Sequence, residues 1–426
     1  MTALFAATTL YYNTAVVLSG VSLLGALAGL VGSFAVLRKR SLTGDALAHA
    51  ALPGVCLGYL VVGERFLPAL LLGALASGVL GIVTINLLTT RTRIREDAAI
   101  GSVLGLFFGA GIALSTWIQK ASKDGGQAGL DSFIFGKAAS MSRSDVEAIS
   151  VIAAICVVVI LLLYKQFKLI SFDSDFGHTL GWPVRWLDLA LMSLLALTVV
   201  ISLPAVGVVL TAALVIIPGA AARFWTDRFG HLLLLSTLFG FSMAFAGTLP
   251  SAYVRDLPTG PAIVLAGAVI FVISLLAGFR RGVIARFLQK RQFEAEISRR
   301  RLLEGIWDLQ RVERKLTPVR TDELLQAQTW SAPKLNYALS LAVSAGELRP
   351  AAGGYQLTDR GEESAVTVTR THLLWKELLQ GHPEQAAAIT DLTAPLNEQV
   401  QPELIARIEQ SLRDRGLWPE LPERRR

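Results

Sequence analysis

The stretch Leu42-Thr43-Gly44-Asp45-Ala46-Leu47-Ala48-His49-Ala50-Ala51-Leu52-Pro53-Gly54 sets a carboxylate and an imidazole four residues apart at the start of an apolar segment. On a helix this spacing stacks both side chains on one face, about 6 Å apart. An oxygen and a nitrogen donor held like that can grip a divalent cation between them. The donor types suit manganese, zinc or ferrous iron, whereas cuprous copper prefers thiolates. Ionisable groups within apolar spans are expensive, so they face a cavity or the bundle interior and mark an ion or proton path. A plainer alternative stays open at this point: Asp45 caps the helix and His49 bonds a neighbouring backbone carbonyl.

Other reactive side chains give weaker signals. Cys56 lies seven residues beyond His49 and shares its face if the helix is unbroken. Pro53 stands between them and can kink the helix, so Cys56 reads as packing, with a pathway role as the alternative. Asp256 precedes Pro258-Thr259-Gly260-Pro261 in a loop, where it either guides cations and helps gate the entrance or simply forms a turn. His178 and His231 fall at span ends or in loops and read as interfacial; Asp188 reads as a helix-start charge. No Gly-x-x-x-x-Gly-Lys-Ser/Thr occurs, and Phe135-Gly136-Lys137-Ala138 lacks both the hydroxyl and the upstream glycine. The chain is therefore expected not to be an enzyme, and active transport would need a separate ATPase.

These residues sit in a chain that is mostly membrane. Hydrophobic residues make up 53% and charged residues 17%, with mean hydropathy +0.52. A crossing needs about 20 apolar residues. Nine segments qualify: 14–37, 46–62, 66–88, 98–118, 146–164, 187–203, 206–224, 231–250 and 261–279. The sixth and seventh are tightly joined at Ser202-Leu203-Pro204, so one of them reads as a half-span or re-entrant segment, and the count is eight or nine. Counted as nine crossings, Arg38-Lys39-Arg40, Arg91, Arg93, Arg95, Lys165, Lys168, Arg185, Arg223, Arg228 and Arg280-Arg281 all fall on alternate turns, on one side. By the positive-inside rule this puts the N-terminus outside and the tail in the cytoplasm of a cell (inner or plasma) membrane. The two cysteines, Cys56 and Cys156, lie in apolar spans and form neither a disulfide framework nor a metal knuckle. The expected fold class is thus an all-α polytopic membrane protein of eight to nine transmembrane helices, followed by a small winged-helix-like α+β domain. The expected divisions are 1–281, a basic helical linker over 282–316, and 317–426.

Several stretches, in order, resemble the permease subunit of the ABC importers for zinc, manganese and iron. They are Gly44 to Gly54, Arg95-Glu96-Asp97-Ala98-Ala99-Ile100-Gly101, and Phe135-Gly136 followed by Ser142-Arg143-Ser144-Asp145. Lys165 to Gly181, Val206 to Leu210 with Ile217 to Arg223, and Asp256 to Pro261 complete the set. The resemblance covers about two thirds of the chain. It implies a homodimer, a docked cytoplasmic ATP-binding subunit and an extracytoplasmic metal-binding protein. It also puts Asp45 and His49 on the pathway ligand positions, with the metal as cargo and no permanently bound cofactor. Gly219 to Gly230, helical in composition, is by the same resemblance the piece that fits the ATPase, through Gly219, Arg223, Asp227 and Arg228; the plainer alternative is a positive-inside loop. Two ligands per subunit make a transit site rather than a trap.

The tail has another pattern. Arg280 to Lys315 is basic and helical, as an anchor to anionic lipid would be. Residues 321–327 and 332–345 read as helices, and 347–349 and 354–358 as strands joined by a Gly-rich turn, which together suggest a winged helix. Gly354 to Gly361 resembles the wing exit of the iron-dependent repressor family, and Thr369 to Trp375 the opening of its dimerisation domain. The pattern departs at Lys376, where a glutamate is wanted, and no histidine lies between Gln385 and Asp391. Lys334 alone supplies a cation to the second helix, so nucleic acid is an unlikely partner. The tail is expected to serve protein contacts or gating. Two other functions compete with a metal-importer permease: a membrane-tethered metal-responsive regulator, and a proton-coupled secondary metal transporter.

Overall fold

The computed structural model describes residues 2–63, 66–121, 136, 138, 141–254, 257–313, 318–327, 330–387, 389 and 399–420. It divides into two compact units, Met1–Arg286 and Phe287–Arg426.

The first unit contains helices and no strand among its described residues. Its elements are α1 (Thr2–Leu37), α2 (Ser41–Val62), α3 (Leu67–Arg91), α4 (Glu96–Ala121), α5 (Arg143–Leu162), α6 (Tyr164–Phe172), α7 (Ser174–Thr179), α8 (Val184–Val206), α9 (Val208–Ala222), α10 (Phe229–Tyr253) and α11 (Thr259–Ala277). Eight of these helices are long and apolar enough to cross a membrane. The exception among the nine expected segments is α9. Its 15 residues reach about 22 Å, short of a hydrocarbon core of about 30 Å. The break between α8 and α9 is a single residue, Gly207, at φ 87°, a conformation that side chains with a β-carbon disfavour. Gly136, also at positive φ, lies so close to that break that a β-carbon on it would stand 2.4 Å from the Val206 carbonyl carbon.

Lipid tails are as apolar as leucine, so helices in a bilayer associate by close packing rather than by the hydrophobic effect. Small residues carry that packing here. Gly25 and Gly29 of α1 meet the backbone oxygens of Gly240 and Ser236 on α10, where a β-carbon would stand 2.3 and 2.1 Å away. Gly54 and Gly58 of α2 meet the backbone oxygens of Gly73 and Ala69 on α3 in the same way. The Ser77 hydroxyl adds a 2.6 Å bond to the Ala50 carbonyl. The stretch between the spans α5 and α8 is folded into α6 and α7, with the Asp173 carboxylate capping α7 by accepting from the Phe176 N–H.

The second unit contains most of α12 (Val283–Glu313), then α13 (Thr321–Ala327), α14 (Ala332–Ser344), β1 (Leu348–Ala351), β2 (Gly354–Leu357), α15 (Asp359–Gly381), α16 (Pro383–Ala387) and α17 (Pro402–Asp414). The strands pair antiparallel, Leu348 opposite Leu357, and Val319 bridges to Tyr355 outside the hairpin. The stretch read as a linker is one helix whose second half is core: Leu302, Leu303 and Ile306 are buried with Leu324, Leu335, Leu339, Leu348 and Leu357. A second cluster joins Leu378 of α15 to Ile408, Leu412 and Trp418. Arg299 fixes α12 to the start of the hairpin, donating to the buried Glu347 at 2.5 Å and to Glu296 at 2.8 Å.

Candidate metal pathway site

The site is built on α2. That helix begins at Ser41 after Arg40, which gives no side-chain cap, so Asp45 lies one turn inside rather than at the cap position. Pro53 does not break it: α2 runs unbroken to Val62. The Asp45 carboxylate and the His49 Nε2 therefore stand 3.5 Å apart across one helical turn. Asp45 is partly exposed, while the His49 side chain retains only 14% exposure. On its other edge the imidazole meets the Phe108 ring of α4, with centroids 4.7 Å apart at 84°. The His49 Nδ1 is buried and has no hydrogen-bond partner among the described residues. No backbone carbonyl satisfies it, so the plain helix-cap alternative accounts for neither residue.

Two donors four residues apart form half of a coordination sphere, since transition-metal sites commonly use four or more ligands. Among the described residues no group of three or more His, Cys, Asp or Glu side chains comes together. Cys56 faces α4 as well, but it is buried and its thiol donates to the Gly111 carbonyl at 3.6 Å, the behaviour of a packing residue. Asp256 lies outside the described residues. His178 and His231 are exposed on α7 and α10, away from any such group.

Asp188 differs from its expected role. It lies past the first turn of α8 and its carboxylate binds Arg38 and, at 3.0 Å, Arg40. Arg40 also reaches Glu96 at the start of α4, 2.8 Å away. These pairs tie the α1–α2 turn to α4 and α8 beside a cavity of about 50 Å³ lined in part by Thr43, Asn86 and Thr89. Sequence reasoning missed this cluster, although acids set beside the basic turns, Glu96 next to Arg95 and Asp188 close to Arg185, were a usable signal.

The region expected to be a helix at 219–230 is not one. Helix α9 ends at Ala222, and Arg223 to Arg228 form turns and open chain up to α10. The physical reason lies in the aromatic pair there. Trp225 packs on Phe239 and Phe279, and Phe224 on Phe271. The Phe224 carbonyl accepts from the N–H groups of Arg280 and Arg281 instead of continuing a helix. Gly219 is buried against Ser33 of α1, while Asp227 and Arg228 are exposed and Asp227 pairs with Arg281 at 2.8 Å. Gly219 is thus separated in character from the three polar residues grouped with it.

A bundle of eight apolar spans with an ionisable pair directed inward from the second describes a polytopic membrane transport protein. Residues 10–278 match the model of the ABC 3 transport family, and the chain belongs to that family. It is 43% identical over 296 residues to the manganese transport system membrane protein MntC of Bacillus subtilis, covering 70% of this chain and 68% of that one. It is 40% identical over 281 residues to the zinc transport system membrane protein TroC of Treponema pallidum, covering 66% of this chain and 94% of that one. Among solved structures, PsaBC from Streptococcus pneumoniae in complex with Fab matches at a TM-score of 0.56 and 30% identity, covering 65% of this chain and 94% of the other.

Proposed function

We propose that this chain is the permease subunit of an importer that moves manganese, zinc or iron, as the divalent ion, into the cytoplasm. The observation that carries the proposal is the Asp45–His49 pair, 3.5 Å apart inside the second span with a buried, partnerless imidazole nitrogen. The relatives named for manganese and zinc transport support the cargo class. Two copies of the chain would bring two Asp45–His49 pairs together and give four protein donors, enough to replace part of a hydration shell without holding the ion permanently. Phe108 packs on the imidazole, and an ion moving inward along α2 meets the His49 nitrogen first and the Asp45 carboxylate second.

The energy would come from a cytoplasmic ATP-binding subunit and the delivered ion from an extracytoplasmic binding protein. Contact with the ATPase is assigned to the turn bearing Arg223, Asp227 and Arg228. The short helices α6 and α7 offer a further surface on the same basic side, where Phe172 and Phe176 are exposed. The tail is assigned a winged-helix architecture in the cytoplasm. The order helix, helix, hairpin, helix and the Val319 bridge onto Tyr355 support it.

The test is metal uptake by cells carrying the chain with its ATPase and binding protein. A partner ATPase whose P-loop lysine is replaced should abolish uptake. Undiminished uptake with that partner would favour a proton-coupled carrier instead. His49→Ala should stop uptake while the purified assembly keeps its size, and normal transport by that variant would remove His49 from the path.

A further inference from the structure

The basic character of α12 is not spread evenly over its surface. Arg299 and Arg300 turn to Glu296, at 2.8 and 2.7 Å, and Arg299 also serves Glu347. Arg291, Arg301, Ser298, Lys334 and Tyr337 line a cleft of about 450 Å³ between α12 and α14. One acid, Glu294, also lines it, and Lys290 lies 3.8 Å from that acid. Lys334 is exposed in the first turn of α14, with no ion-pair partner among the described residues. A cation there opposes the helix dipole, so helix stability does not account for it. A bound anion would.

The apolar residues near this cleft say which kind of anion. Phe287 and Leu288, one turn before Arg291 on the same helix, are about half exposed, and the Arg291 guanidinium lies 4.5 Å over the Phe287 ring. Tyr337 brings a further exposed ring, at 55%. A cleft made for a free phosphate or a duplex backbone has no use for exposed phenylalanine and leucine beside its cations. A phospholipid presents both an anionic head and an apolar body. The chain also limits where such a ligand can be: α12 starts a few residues after the last span ends at Ala277, which keeps Arg291 within about 30 Å of that end at any angle.

We infer that the α12–α14 cleft binds the headgroup phosphate of an anionic phospholipid of the spanned membrane, with Arg291, Arg301 and Lys334 as the anion ligands and Phe287 and Leu288 against the lipid body. The inference concerns the tail alone and does not depend on the metal pathway. It sharpens a general attraction of basic segments to anionic leaflets into a site with named ligands.

The experiment is hydrogen exchange on the full chain in nanodiscs of phosphatidylcholine with increasing phosphatidylglycerol. Exchange over 287–301 and 332–337 should slow as phosphatidylglycerol rises. Lys334→Gln should need about fivefold more of it for half the effect, from the worth of one cation near an anionic surface. The combined Arg291→Gln, Arg301→Gln and Lys334→Gln variant should lose the response, while Arg349→Gln with Lys376→Gln, also in the tail, should keep it. All these side chains are exposed, so the fold survives the changes. An unchanged response in the triple variant, or none in the wild type, overturns the site. Protection by inorganic phosphate or by a DNA duplex in pure phosphatidylcholine discs, without a phosphatidylglycerol response, overturns the lipid as its ligand.

Discussion

Gly54 and Leu303 are both buried in their own units, and they hold them by opposite means. Around Gly54 the helices α2 and α3 touch backbone to backbone, because removing side chains is what lets them approach in an apolar solvent. Around Leu303 the helix α12 contributes a large side chain to a leucine core, because water outside makes burial favourable. The same contrast governs charge. In the membrane unit the pair at Asp45 and His49 leaves a buried nitrogen unsatisfied. In the tail the buried Glu347 is held by an arginine that a second glutamate also grips. The imidazole nitrogen left incomplete inside a span is poised for a ligand, whereas in the tail the arginine fixes two elements together through one Glu347 oxygen, the other being buried without a partner among the described residues.

Substitutions that add or remove bulk should break this contrast in opposite directions. Gly54→Leu forces a side chain into a backbone oxygen that an added β-carbon would already meet at 2.0 Å. We expect it to cost about 3 kcal/mol or more, seen as loss of monodisperse protein after detergent extraction. Leu303→Ala leaves a cavity in the tail and should cost about 3 kcal/mol there. Its effect should appear as faster proteolysis of the second unit with the spans still intact. Equal damage to both units by either variant would erase the distinction.

A smaller effect sharpens the electrostatic half. Hydrogen bonds from Arg299, reinforced by Arg300, hold the Glu296 carboxyl down at about 2, below its ordinary value near 4.5. A carboxyl lowered on folding stabilises the tail above the unfolded value, and this contribution is lost as pH falls from about 4.5 to about 2. Glu296→Gln should therefore lower the tail's stability near neutrality and flatten its acid response over that window. Because Glu296 is partly exposed, solvent screens the gain, and the change should be modest. The smallest effect is expected at Cys56. Cys56→Ser keeps a donor for the Gly111 carbonyl and should leave metal uptake within about twofold, as a packing position away from the path predicts.

Much of the architecture was legible because apolar length and basic turns act locally. The spans, the short partner after Ser202-Leu203-Pro204, and the helices and strands between Thr321 and Leu357 all follow from composition and turn residues. The pairing of Asp45 with His49 followed from helical spacing alone. What stayed hidden depends on elements far apart in the chain. Gly54 finds Gly73, Arg40 finds Asp188 and Glu96, and His49 meets Phe108 only once the bundle has closed. Helical composition at Gly219 to Gly230 was misleading because Phe224 and Trp225 had better partners outside a helix. Leu302, Leu303 and Ile306 sat within a run of arginines, where charge drew the eye and the apolar stripe did not.

The central claim is that Asp45 and His49 carry the metal. It is tested most directly by cellular metal content, measured by mass spectrometry in a host lacking its own importers. The host would carry the chain with its ATPase and binding protein, either wild type or Asp45→Ala/His49→Ala at matched protein level. We expect manganese, zinc or iron to rise in the wild type alone, which would also name the cargo. An equal rise with the double variant would contradict the account.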